Sequence, residues 1–305
     1  MKLKYIAATA AAALTAAGAA HADHMGLTLG SGGTTLVGFD ITNASTLGVV
    51  DISGDAARLD AIDFRPATGE LIGYSSSADE YYLVDPVSGA TTLLSTAPVV
   101  PTNGPNVGLD FNPTIDRSRT VGANDENVVF NPNDGSTSVQ TDLFYAMGDP
   151  NEGTNPTITA NAYSNSVAGA MTTQQYALDS SLNILATLNN NAGDLTTIGG
   201  VTLNGQDFNF NTDTGFDIFS GGGSDVAYAI LQENGGLSSL FTIDLASGAL
   251  NFLGSFANNL GQINGLAVGV VPGFGEVPIP AALPLFLAGM AGLRFASRRK
   301  KKQTA

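Results

Sequence analysis

The chain predicts an all-β fold: a β-propeller of five four-stranded antiparallel blades, with six as the alternative, closed by pairing of its N- and C-terminal strands. Three observations predict it. Strand–turn–strand units recur, with Phe64 to Phe111 spaced by 47 residues and Asp85 to Asn131 by 46. No long helical periodicity occurs between Leu27 and Val271. Each end of that stretch carries only part of a unit, so the two parts complete each other.

The clearest unit runs from Leu59 to Thr92. Ala61-Ile62-Asp63-Phe64 leads into the turn Arg65-Pro66-Ala67-Thr68-Gly69, and Tyr81-Tyr82-Leu83-Val84 into Asp85-Pro86-Val87-Ser88-Gly89. Asp hydrogen-bonds its own backbone two residues on, Pro presets φ, and Gly accepts the left-handed exit. Tyr, Leu and Val before the turns form strands. Weaker copies lie at Leu36–Thr42, Gly108–Asp116, Val128–Gly135, Gln175–Asp179 and Leu240–Ala249. Leu27 to Ile52 holds two or three strands without completing a unit, and Ile263 to Val271 is a lone strand. The 245 residues from Leu27 to Val271 give five blades at about 49 each. Between them, Ala160–Ser166 reads as an inner strand, Leu188–Gly200 as an exposed loop, and Ser220–Ser224 and Glu233–Gly236 as hairpin tips.

The whole chain has 305 residues, 43% of them hydrophobic, with 37 Gly and neither Cys nor Trp. That length supplies a full core for one large domain. The absence of Cys excludes a disulfide framework and thiolate metal sites. Between Asp23 and Glu276, four Arg (Arg58, Arg65, Arg117, Arg119) face 27 acidic residues, a charge of −23. Such a surface repels nucleic acid and suits solvation, cations or a salty exterior.

Residues 1–22 read as a secretory signal: Lys2 and Lys4, the apolar run Ile6–Ala20, then Ala20-His21-Ala22 before a mature start at Asp23. Residues 23–271 form the propeller-like domain, 272–276 a Gly/Pro linker, and 277–305 a C-terminal segment. That segment contains Val277-Pro278-Ile279-Pro280-Ala281, an apolar run Ala282–Leu293, and a basic end of Arg294, Arg298, Arg299, Lys300, Lys301 and Lys302. The 15 residues from Ile279 to Leu293 are short for a stable span, and the basic end would stay cytoplasmic.

In its order of motif, apolar run and basic end, the tail resembles the PEP-CTERM class of bacterial sorting signals, in the variant reading Val-Pro-Leu-Pro-Ala, with Ile279 in place of Leu. The resemblance implies a Gram-negative host, export across the inner membrane with signal peptidase removing the N-terminal signal, transient membrane anchoring, and processing near the motif by an exosortase. It also implies an exopolysaccharide or biofilm-matrix setting at the cell surface or outside it. The central domain resembles the domain of unknown function 4394 family through Ile62–Gly69, Leu109–Arg117, Tyr145–Asp149, Ala162–Ser166, Gly215–Ile218 and Leu240–Asp244. That family implies the fold and supplies no catalytic residues.

Two constellations bear chemistry. Asp149, Asn151 and Gly153 have the one-three-five spacing of a calcium loop, with Glu152 and Asn155 adding oxygens, although no Glu closes it at position twelve. The competing reading is an Asp-Pro-Asn turn held by its own side chains. Asp63, Asp110 and Asp217 stand at matching points of three units, where strand alternation aims them to one side, toward a central channel. There they would bind a cation or work as acid and base on a sugar; the weightier reading is structural, with the three capping turns or pairing with Arg65, Arg117 and Arg119. With no Cys and only His24 after the cleavage site, Ser-His-Asp, Cys-His and zinc–imidazole chemistry are excluded. The expected function is therefore a non-catalytic exported module binding polysaccharide, protein or calcium. The alternative is a carboxylate-dependent glycan hydrolase or lyase.

Overall fold

The computed structural model describes residues 25–95, 104, 106–221 and 223–271. The secretory signal, His24, the linker and the sorting motif Val277–Ala281 lie outside the described residues. Among the described residues, no helix is long and apolar enough to cross a membrane.

Five small sheets form the blades, with sequential inner strands packed side by side around one axis. Blade 1 joins the chain ends: its inner strand Asn264–Gly269 pairs antiparallel with Met25–Gly30, placing Leu27 opposite Ala267. Thr35–Asp40 and Thr46–Asp51 complete it outward. Blade 2 is Ala61–Phe64, Leu71–Ser75, Glu80–Val84 and Ala90–Leu93. Blade 3 is Val107–Asn112, Arg117–Gly122, Asn127–Asn131 and Ser136–Val139. Blade 4 is Ile158–Tyr163, Gln175–Asp179, Ile184–Leu188 and Asp194–Gly200. Blade 5 is Gly215–Gly221, Ser224–Leu231, Ser239–Ile243 and Ala249–Ser255.

Three blades carry an addition that the sequence did not suggest. The segments entering blades 2, 4 and 5 pair parallel with those blades' outer strands, through Ser53–Gly54, Phe144–Tyr145 and Thr202–Leu203. Each covers the edge of its sheet, which would otherwise present unpaired backbone groups.

The turns form as their residues dictate. Asp85 Oδ1 accepts the N–H of Val87 and of Ser88, both at 2.9 Å, and the Gly89 N–H closes onto the Asp85 carbonyl. Gly89 has φ of 73°, and a Cβ there would lie 2.3 Å from the Asp51 carbonyl oxygen, so only Gly fits. Asp244 repeats the device with Ala246 and Gly248.

The core lies between blades. Tyr81 of blade 2 stacks on Phe130 of blade 3 with centroids 4.1 Å apart, and Phe39 of blade 1 meets Phe256 edge-on at 4.9 Å. Each such buried side chain contributes about 1.5–3 kcal/mol. One expectation fails: Leu188–Gly200 is not an exposed loop. Only a 3-10 turn, Asn190–Ala192, separates two strands there, and Asp194–Gly200 is the outer antiparallel strand of blade 4, with Leu195 buried. The Asn run and paired Gly mask the β-branched Thr196, Thr197 and Ile198, which favour a strand once Ile184–Leu188 offers an edge.

Candidate functional site

The five inner strands carry one repeated pattern. Ala61-Ile62-Asp63-Phe64, Gly108-Leu109-Asp110-Phe111, Ala160-Asn161-Ala162-Tyr163, Gly215-Phe216-Asp217-Ile218 and Gly265-Leu266-Ala267-Val268 are equivalent. The first position is always Gly or Ala because the strands nearly touch. A Cβ on Gly108 would lie 2.6 Å from the Asn161 nitrogen, and one on Gly215 would lie 2.6 Å from the Gly265 carbonyl oxygen. Two residues on, the strand returns to the same face. Three blades place Asp there; blades 4 and 1 place Ala162 and Ala267.

The three carboxylates converge. One oxygen from each of Asp63, Asp110 and Asp217 lies within 4.8 Å of the others, and all three side chains are buried. Each is held by the blade that follows. Asp63 Oδ2 accepts the Phe111 N–H at 2.9 Å, and Asp217 Oδ2 accepts the Val268 N–H. Asp110 accepts from the Tyr163 N–H in the same manner. Asp110 Oδ1 is buried without a hydrogen-bond partner.

None of the three pairs with Arg65, Arg117 or Arg119, so that expectation is corrected. Arg65 Nε donates to Asp116 Oδ1 at 2.7 Å, and its Nη1 and Nη2 reach Glu70 and Asn133. Arg117 Nη1 donates to the Asp116 carbonyl at 2.7 Å. Arg58 bonds Asp60. Arg119 lies opposite Asp110 in register, yet its guanidinium donates to Tyr163 Oη at 2.9 Å and to Asn127 and Asn191. The arginines among the described residues hold turns and blade seams together at other places.

Burial pushes Asp63 and Asp110 well above the usual carboxylate range. The charge of Asp217 adds to the rise at Asp63, and those of Asp63 and Asp217 add to it at Asp110. Burial raises Asp217 to about 7, against the Val268 and Ile218 N–H groups. A cavity of ≈ 70 Å³ opens beside Asp63 and Asp217, lined also by Phe64, Ser166, Phe219 and Val268. Sites for drug-sized ligands run to about 300–1,000 Å³, so this one has room for an ion and waters and none for a sugar chain.

The Asp149 loop is built differently. Asp149 Oδ2 accepts the Thr197 N–H at 2.7 Å, and Oδ1 accepts the Thr197 hydroxyl and the Asn151 N–H, each at 2.8 Å. Asn151 Nδ2 donates to the same hydroxyl, and Glu152 accepts the Gly148 N–H at 2.7 Å. Gly153 contributes a left-handed turn, with φ of 79°. Although burial acts to raise the Asp149 pKa, its donors draw it below the usual value. These bonds tie the loop to the outer strand of blade 4. The sequence reading missed Thr197 as its anchor and missed the network beside Asp110, in which buried Arg119, Asn127 and Tyr163 are joined by the exposed Asn191. Both sets come from positions far apart in the chain.

The family described as Domain of unknown function (DUF4394) matches residues 35–267. No curated protein matches the chain. Among solved structures, a protein of unknown function from Bacteroides caccae is similar at a TM-score of 0.48 and 10% identity, over 80% of this chain and 98% of that one. An auxiliary nutrient binding protein from Bacteroides thetaiotaomicron VPI-5482 gives 0.41 and 14%, over 67% of this chain and 55% of that one. A structural genomics protein of unknown function from the same strain gives 0.45 and 14%, over 72% and 55%.

Proposed function

The chain belongs to the DUF4394 family, a domain of unknown function, and from that premise we propose that it is a non-catalytic binding module exported to the cell surface or matrix. Its loop faces hold a polysaccharide or protein partner, with exopolysaccharide the first ligand to test. The observation that carries the non-catalytic reading is the enclosure of Asp63, Asp110 and Asp217. Acid and base residues of a glycan hydrolase must flank a bound sugar, with carboxyls about 5–9.5 Å apart. Here their nearest oxygens lie within 4.8 Å, against a cavity of ≈ 70 Å³.

Export is supported by the basic start, the apolar run and the small-x-small site ending at Ala22. Transient anchoring and exosortase processing are supported by the Val277–Ala281 motif with its apolar run and basic end. The test is incubation of the purified protein with exopolysaccharide from its host, measuring co-sedimentation and new reducing ends together. Retention without reducing ends is the expected result. Release of reducing ends that disappears in Asp63→Asn would restore the hydrolase reading.

A further inference from the structure

We propose that Asp63, Asp110 and Asp217 form a calcium site on the propeller axis, closed by inner strands of blades 2, 3 and 5. This goes beyond the binding reading and stands whether or not the loop faces hold a glycan.

The argument starts from what the cluster lacks. Among the described residues, the cationic side chains are four arginines, and all four are bonded elsewhere. Three buried carboxylates with no arginine beside them carry a high cost. Backbone N–H groups offset part of it. Asp110 Oδ1 nevertheless stays buried with no partner on a side chain that is 1% exposed. A buried acceptor left bare costs about 1–3 kcal/mol and more when charged. A cation on the axis would satisfy that oxygen and balance the charge.

The ligand chemistry selects a hard ion, because every donor is oxygen. The span selects among hard ions. Oxygens within 4.8 Å of one another all lie within about 2.8 Å of a common point, close to the calcium–oxygen distance of about 2.3–2.6 Å, so a small side-chain adjustment at most brings all three onto one calcium. Magnesium, at about 2.0–2.1 Å in near-ideal octahedral geometry, demands a tighter cluster, with no two oxygens more than about 4.2 Å apart. Three protein ligands leave coordination positions for water, and the cavity of ≈ 70 Å³ beside Asp63 and Asp217 has space for it. Because each carboxylate also accepts an N–H from the next blade, an ion there would brace the ring at its centre.

The full chain, stripped with chelator, would be melted with and without calcium, and bound calcium counted after dialysis. The expected result is one calcium per chain and a rise of roughly 5–10 °C at about 100 times the dissociation constant. Asp110→Asn keeps the acceptor for Tyr163 and removes one charge. It should melt higher than the parent in chelator, bind no axial calcium and lose the rise, so a folded variant reports on the site. A rise retained in Asp110→Asn and Asp217→Asn alike would assign calcium to surface acids and overturn the proposal. So would a rise produced by magnesium and not by calcium.

Discussion

Asp63 reaches across the seam between blades 2 and 3 and takes the backbone N–H of Phe111 at 2.9 Å. One carboxylate thus serves as inter-blade hydrogen-bond acceptor and as a member of the acidic cluster. The two roles separate by substitution. Asp63→Asn keeps an acceptor for Phe111 and removes a charge, so in chelator it should melt at or above the parent. Asp63→Ala leaves that N–H buried and unpaired and should cost about 1–3 kcal/mol, a fall of roughly 2–10 °C. Thermal melts of the two variants in chelator check this.

The same cluster sets a pH dependence for the metal-free protein. Asp63, Asp110 and Asp217 have folded pKa values above their unfolded ones, with Asp217 at about 7. The folded state therefore binds more protons than the unfolded state between the ordinary carboxylate value and that range. Stability from these groups is full below the unfolded pKa and is lost as pH rises through the folded values. Melting temperature in chelator should fall from about pH 5 to about pH 8, and Asp217→Asn should flatten the slope.

Arg65 governs the opposite limb. It is mostly buried and joins the blade 2 turn to Asp116 and Asn133 of blade 3. The Arg65 hydrogen bond holds the Asp116 carboxyl below its usual value despite partial burial. That contribution is present above the unfolded pKa and is lost as pH falls through the folded one. Arg65→Met should lower the melting temperature at neutral pH by a few degrees, about 1–3 kcal/mol. The deficit should shrink under acid conditions where Asp116 is protonated in both proteins. A melt series across pH on the two proteins measures it.

Where the sequence was legible, the residues were periodic. Asp63, Asp110 and Asp217 were readable because they stand at matching points of three units, and strand alternation then fixes their side. Closure of blade 1 was readable from a lone strand at Ile263 facing an incomplete unit at Leu27. What was not legible depends on contacts between distant segments. Thr197 lies 48 residues from Asp149, and Asn191 lies 72 from Arg119. No local pattern names such partners. Pairing the acids with arginines followed from charge balance alone. Arg119 sits in register with Asp110, but Tyr163, Asn127 and Asn191 take its donors.

The Asp149 loop gives a control. Its carboxylate oxygens are engaged by Thr197 and Asn151. Asp149→Ala should therefore lower stability by about 1 kcal/mol or somewhat more and leave the calcium-dependent rise unchanged. Melts of this variant with calcium and with chelator decide between the two acidic constellations.

At the waist, Gly108→Ala would place a methyl group 2.7 Å from the Ala160 Cα and 2.6 Å from the Asn161 nitrogen, both backbone atoms. Neither can move without shifting the inner strand of blade 4. The variant should lose at least 1–3 kcal/mol, as overpacked cores do, or fail to accumulate as soluble protein. Gly69→Ala meets no atom and carries only the strain of φ at 76°. It should cost less, and the pair compared by thermal melt separates packing from backbone conformation.

The most direct measurement is a crystal structure of the full chain grown with calcium, with anomalous scattering used to place the ion. The account predicts one calcium peak on the propeller axis, bonded to Asp63, Asp110 and Asp217 at about 2.3–2.6 Å, with waters filling its remaining positions. An axis without an anomalous peak, with calcium bound instead at Asp149 or scattered over surface acids, would contradict it.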